Sequence, residues 1–366
     1  MPTSQLSSAP PAPAGQPVAP RRGALAVRAA LSGRRAGVAL ATGALLVALL
    51  LPTIFDQLFG FSAGFELHRV SLIGIFALAA FAQNILTGYA AQPSLGNAAF
   101  FGLGGYLLAW IAGDLGQPYW VAILIAMAAS AVVGVVVGGP ALRVSGAYLA
   151  IATLGLVFIA GALFDFWDTT VGRQSYDINT LPAVLSDDHP LYYIVLAISL
   201  AVFGVGYFLL RSRVGRAWVA IRDSEMAALA FGVNVTYYKL LAFIVSAALT
   251  GLAGALYAIW AQTASSSMSS ADQTIVFLAM IVVGGLGSIL GSALGALFVG
   301  FLPLLLGQLP SPLNVGSLSI QLSTLTTGIY GLLLLLALIF FPTGLASIRE
   351  RSRALLGRLT RPGGAA

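Results

Sequence analysis

Residues 273–348 read QTIVFLAMIVVGGLGSILGSALGALFVGFLPLLLGQLPSPLNVGSLSIQLSTLTTGIYGLLLLLALIFFPTGLASI, 76 consecutive positions without an Asp, Glu, Lys, Arg or His. A helix needs about 20 apolar residues to cross hydrocarbon, so this stretch alone supplies material for about three crossings. The rest of the chain agrees with it. Hydrophobic residues make up 58% of the 366, charged residues only 8%, and the mean hydropathy is +0.94. A soluble domain carries about a quarter charged residues. A membrane β-barrel would show segments of about ten residues with alternating polarity, and this sequence has none. The pattern predicts an all-α integral membrane protein, a polytopic helical bundle.

Moving outward, ten apolar segments are expected as transmembrane helices: 38–55, 69–88, 94–113, 119–138, 146–164, 190–210, 240–261, 274–288, 290–308 and 319–341. Turn chemistry separates them at Gly116-Gln117-Pro118, Gly138-Gly139-Pro140 and Pro310-Ser311-Pro312. An even count puts both termini on the same side. With that side cytoplasmic, 16 of the 18 basic residues lie inside, leaving only Arg69 and Arg173 outside, while nine of the twelve acids lie outside. That is the separation the positive-inside rule demands. The expected domains are a basic cytoplasmic tail over 1–37, disordered as far as Pro20, a transmembrane domain over 38–345 with a cytoplasmic loop at 211–238, and a basic cytoplasmic tail over 346–366. The Arg-rich 1–37 stretch before an apolar run imitates a signal or transit peptide. No small-residue cleavage pattern follows Leu51, so an uncleaved first span is expected.

Composition also removes whole classes of chemistry. There is no Cys, so no disulfide, thiolate metal site or thiol nucleophile is available. The only histidines, His68 and His189, lie far apart beside apolar runs and read as interfacial residues rather than metal ligands. The single lysine, Lys239, sits between Tyr238 and Leu240. A phosphate-cradling loop needs Gly-Lys-Ser/Thr, so any energy from ATP must come through a partner. No catalytic residue, metal site, cofactor or nucleic-acid interaction is expected.

Three motifs stand out. The loop RSRVGRAWVAIRDSEMAALAFGVNVTYY, residues 211–238, offers Ser224 as an N-cap, Glu225 in a first turn, Ala227 and Ala228 as helix formers, and Gly232 as a left-handed helix end. This describes a short helix with a small-residue surface, with Ala228 expected on its contact face. It either docks into a groove on a second protein or lies at the headgroup level as an amphipathic loop helix. The second motif, GYAAQPSLGN at 88–97, is either a cytoplasmic turn or a discontinuous helix beside a substrate path, with Gln92, Ser94, Gly96 and Asn97 as candidate pathway or helix-break residues. Just before it, Gln83 and Asn84 call for interhelical hydrogen bonds. The third is small-residue spacing: Gly287, Gly291 and Gly295, and Ser246, Thr250 and Gly254, each four apart, for close helix approach within the bundle or across a dimer. Ser265–Ser270 reads as a flexible outer loop.

Taken together these motifs resemble the branched-chain amino-acid ABC permease family, in its larger, LivM-type subunit. The resemblance covers about residues 70–345. It rests on GRAWVAIRDSEMAALAFGVNVTYYKLLAFIVSAALTGLAGALYA at 215–258, GYAAQPSLGNAAFFGLGGY at 88–106 and GGLGSILGSALGA at 284–296. Glu225, Ala227, Ala228 and Gly232 match the family's Glu-Ala-Ala…Gly pattern, which implies that this helix contacts an ATPase. The resemblance further implies import of a branched-chain or related amino acid across a bacterial inner membrane by alternating access. The partners it implies are two ABC ATPase subunits, a second homologous permease and an external solute-binding protein. Three features depart from the family: Asn97 stands where His is frequent, Ala91 where Gly is frequent, and 168–179 only loosely matches a Thr-Gly-Gly-rich outer segment. A related permease for urea or short amides keeps the same architecture. An ion-coupled transporter would want ionisable groups within the spans, and the expected spans hold almost none.

Overall fold

Hydrocarbon is as apolar as leucine, so within a membrane small side chains rather than greasy ones decide which helices meet. The segment from Val235 to Ala261 is built to that rule, with Ser246, Ala247, Thr250, Gly251, Ala253, Gly254 and Ala255 at its middle. In a computed structural model it is one 27-residue helix at the centre of the bundle. The structure describes residues 63–307 apart from 145, 172–174 and 179–181, together with 313–315 and 318–320.

In chain order, α1 spans Ala63–Asn84 and continues through a π-helical turn, Ile85–Tyr89. A stretch without regular structure follows, then α2 at Asn97–Leu108 with a π-helical turn at Ala109–Asp114. Next come α3 at Tyr119–Ala141, α4 at Ala147–Val171, the short strand β1 at Tyr176–Asp177, α5 at Ala183–Ser186 and α6 at Asp188–Arg211. Two loop helices, α7 at Arg213–Asp223 and α8 at Glu225–Ala230, lead into α9 at Val235–Ala261. After it lie β2 at Thr263–Ala264, a 3-10 turn at Ser266–Ser269, α10 at Ala271–Gly284, α11 at Ile289–Gly307, and the strands β3 at Leu313–Val315 and β4 at Leu318–Ile320. β1 and β2 pair antiparallel, Tyr176 opposite Ala264, and β3 and β4 form an antiparallel ladder.

The helix α9 packs on α1, α2 and α3, while α1 packs on α6 and α11. The packing is backbone against backbone. A Cβ on Gly254 would run into the Phe101 carbonyl, and one on Gly104 into the Gly251 carbonyl. Around that seam Phe101, Tyr257, Phe277 and Phe76 interlock edge to face and stacked. Five helical stretches among the described residues are long and apolar enough to cross a membrane: Leu67–Tyr89, Tyr119–Ala141, Ala147–Val171, Asp188–Arg211 and Val235–Ala261; α10 and residues 289–301 of α11 are apolar but shorter.

Eight of the ten expected spans overlap described helices; the span at 38–55 and both tails lie outside the described residues, as does 319–341 but for residues 319–320, which belong to β4 and not to a helix. Several boundaries move, each for a local reason. The helix α3 runs through Pro140 to Ala141, because a proline in the last turn gives up one hydrogen bond and Leu142 N still reaches Gly138 O at 3.0 Å. α4 extends past residue 164 to Val171: Asp165, the acid at which the expected span ends, stays exposed on the helix, and Asp168 beyond it is buried and accepts a 2.6 Å hydrogen bond from the Tyr106 hydroxyl. The loop at 211–238 ends early, its last four residues forming the first turn of α9. Ser265–Ser270 is no free loop: Met268 and Ser269 are buried against α2 and α4, with the Ser269 hydroxyl donating to Val157 O at 3.2 Å.

Candidate functional site

The loop helices owe their form to two serines. Ser212 separates α6 from α7 and accepts from Val214 N at 3.1 Å; Ser224 separates α7 from α8 and accepts from Ala227 N at 3.2 Å. The end of α8 closes as a Schellman motif. Val233 N donates to Ala228 O at 3.0 Å and Gly232 N to Leu229 O at 2.9 Å, with Gly232 at φ +77, where a side chain would be strained. Ser224, Glu225, Ala227 and Gly232 thus stand in the local positions their types predict.

Ala228 does not. It is 2% exposed and packs with Ile221 and Val235, with Val233 and Tyr238 against them. The expectation that Ala228 forms the contact face is corrected. The Schellman closure folds Val233 back over the residue that begins it, so Ala228 anchors the helix to its own loop. The face left outward is larger and apolar: Met226 is 78% exposed, Leu229 53% and Phe231 86%. Sequence reasoning missed these three, although the Gly232-Val233 closure signal beside Ala228 indicates which side turns in.

The second motif is a true interruption buried within the bundle. Gln92, Ser94, Gly96 and Asn97 are all buried. Gln92 Nε2 donates to Lys239 O at 3.0 Å, Leu95 N donates to Thr153 Oγ1 at 2.9 Å, and Gln83 Nε2 donates to Ser94 O at 2.6 Å. Asn97 Nδ2 reaches Ser246 Oγ and Thr250 Oγ1 on α9, both at 3.2 Å. Polar side chains thereby take up backbone groups that leave the helical ladder, as a low-dielectric interior requires. Exposed Ala91 sits at φ +51, a left-handed conformation that strains any residue with a Cβ. That strain accounts for glycine's fitness at this position.

Asn84, one turn upstream, ties α1 to the turn between α10 and α11. It accepts from Gly287 N at 2.8 Å and donates to Ser288 O at 2.9 Å and Ser292 Oγ at 2.7 Å. Gly287 therefore belongs to that turn, at φ +71, and not to the helical face expected with Gly291 and Gly295. The latter two do serve close approach, against Gly284 and Met280 carbonyls.

At the opposite end of the bundle His68 Nδ1 lies 2.9 Å from Asp188 Oδ1, and its ring stacks on Trp260 at 4.4 Å between centroids. Trp260 Nε1 donates to His68 O at 2.7 Å. These groups lock α1, α6 and α9 together at that end.

Long apolar helices joined by a buried polar break define a multi-pass membrane protein, with a capped loop helix that exposes apolar side chains. Residues 67–341 match the family model described as branched-chain amino acid transport system / permease component, and the chain belongs to that family. It is similar to two proteins described as high-affinity branched-chain amino acid transport system permease protein LivM. That of Salmonella typhimurium is 28% identical over 242 residues, 58% of this chain and 57% of the relative. That of Escherichia coli K12 is 28% identical over 257 residues, 63% and 60%. A probable branched-chain amino acid transport permease protein LivM of Methanocaldococcus jannaschii is 25% identical over 315 residues, 74% of this chain and 90% of the relative. The chain spans roughly three-fifths of the length of the first two relatives. No solved structure matches.

Proposed function

We propose that this chain is the membrane-spanning permease subunit of an ABC importer for branched-chain or related amino acids in a bacterial inner membrane, with both termini cytoplasmic. Two ABC ATPase subunits energise it, a second homologous permease completes the pathway, and an external solute-binding protein delivers the solute. The chain performs no covalent chemistry. The observation that carries this reading is the exposed triplet Met226, Leu229 and Phe231, on and directly after a helix that is capped at both of its ends. An apolar helix face left in water is the form taken by segments that dock into a groove on a partner. Gln92, Ser94, Gly96 and Asn97 act in this reading as a helix break that supports the pathway, because each takes part in a hydrogen bond inside the bundle.

The test is co-expression with candidate ABC ATPase subunits. Phe231→Asp places a charge in the middle of the docking face and is expected to abolish ATPase co-purification and uptake together. Yield and thermal stability of the chain should stay within about 0.5 kcal/mol of the parent, as for other surface changes. Full uptake by Phe231→Asp would overturn the docking assignment.

A further inference from the structure

We infer that two hydrogen-bonded struts, Glu225–Lys239–Gln92 and Arg222–Gly88, connect the loop helix α8 to the buried break at 85–96 and pass its displacement into the bundle. The inference rests on the docking reading of α8.

The first strut begins with the ion pair of Glu225, in the first turn of α8, and Lys239, in the first turn of α9. The Lys239 carbonyl then accepts from the Gln92 side chain, while Gln92 N donates to Leu86 O at 3.0 Å. Gln92 is 1% exposed, so it cannot exchange its partner for bulk water without opening the break. The second strut starts from the last turn of α7, directly before the Ser224 cap. Arg222 Nη1 donates to Gly88 O at 3.4 Å, and it lies close enough to Gly287 that a Cβ there would come within 2.7 Å of it. Gly287 is in turn held by Asn84. Trp218, fully buried, fixes α7 on α9 by donating Nε1 to Tyr238 O at 2.8 Å.

What the struts reach matters as much as that they exist. Residues 85–96 combine a π-helical turn, a run without regular structure and one left-handed residue. They are not held by a regular i→i−4 ladder, so their dihedrals can change without breaking a helix. Beyond the break, Asn97 hands the connection to Ser246 and Thr250 in the middle of α9. Gln92 and Arg222 are positioning residues that couple the docking helix to this adjustable segment.

The absence of cysteine permits a direct probe. Exposed Ala91 is replaced by Cys, and its N-ethylmaleimide labelling is followed in the full complex with and without MgATP and vanadate. Alongside, uptake per ATP hydrolysed is measured for Gln92→Met and Arg222→Met, with Arg216→Met as a loop-cation control. In the parent, labelling should depend on nucleotide. In both variants that dependence should vanish and uptake per ATP should fall on the order of tenfold, with the ATPases still bound and hydrolysing. The Arg216 control should couple normally. Arg222 is part exposed, so its variant remains informative if the buried Gln92 change impairs folding. Normal uptake per ATP and parent-like labelling in Arg222→Met would overturn the struts alone. Failure of the parent chain to bind any ATPase would overturn the docking reading and the struts with it.

Discussion

The helices α9 and α4 are close to interchangeable by length, at 27 and 25 residues, and by apolarity. Yet α9 is mostly buried and α4 mostly exposed. The difference lies in side-chain size. Toward its neighbours α9 presents Ser246, Thr250, Gly251 and Gly254, whereas α4 turns Ile151, Phe158, Ile159, Leu163 and Phe166 outward, each at least 60% exposed. Between α2, α3 and α4 an apolar cleft of about 190 Å³ remains, lined by Phe100, Leu103, Val133, Leu156 and Leu163 among others. Apolarity qualifies a helix for the membrane; the absence of side chain qualifies it for the interior.

Identical substitutions in the two helices are the sharpest way to break this comparison. Gly254→Ala puts a methyl into the Phe101 carbonyl, and helix separation is its only relief. It is expected to cost about 3 kcal/mol, the upper range for overpacking, read as thermal unfolding in detergent. An unchanged midpoint would mean that the α9–α2 seam does not hold the bundle. Asn97→Leu is expected to destabilise by about 1–2 kcal/mol, because the Ser246 and Thr250 hydroxyls lose a shared partner inside the bundle. A gain of stability there would assign Asn97 to a pathway rather than to packing. Gly155→Ala, in α4, should have the opposite sign. No atom lies within 4 Å of the added methyl, so helix propensity alone acts and stabilises by up to about 1 kcal/mol. Destabilisation at Gly155 would instead mark that face as a subunit contact.

Much of this was legible in the residue order, and the failures share a cause. Ser224 and Gly232 cap α8 as their types require, and Ser246, Thr250 and Gly254 form the close-packed face their spacing implies. Such features depend on neighbours within a few positions. The direction of Ala228 depends on where Val233 folds after the helix ends, and the length of α4 on a tyrosine 62 residues earlier. The partnership of Asn84 with Gly287 spans 203 residues. Serines between two spans read as solvent, yet Met268 fills the space over Gly105 and carries its neighbours inward. Periodicity and composition see no such pairs.

The backbone contact between Gly254 and Phe101 also has a thermal consequence. Separating α9 from α2 within a bilayer exchanges protein contacts for acyl chains and wets no apolar surface, so it adds little to the heat capacity of unfolding. What is lost is dispersion and weak Cα–H···O attraction, which cooling does not diminish. The small cluster of Ile221, Ala228 and Val235 is different, because it hides apolar side chains from water, and that driving force fades as temperature falls. Chilling should therefore slacken the grip of α7 and α8 while leaving the helical seam intact, so that a cold-adapted variant of this chain would need reinforcement at the loop and none in the membrane.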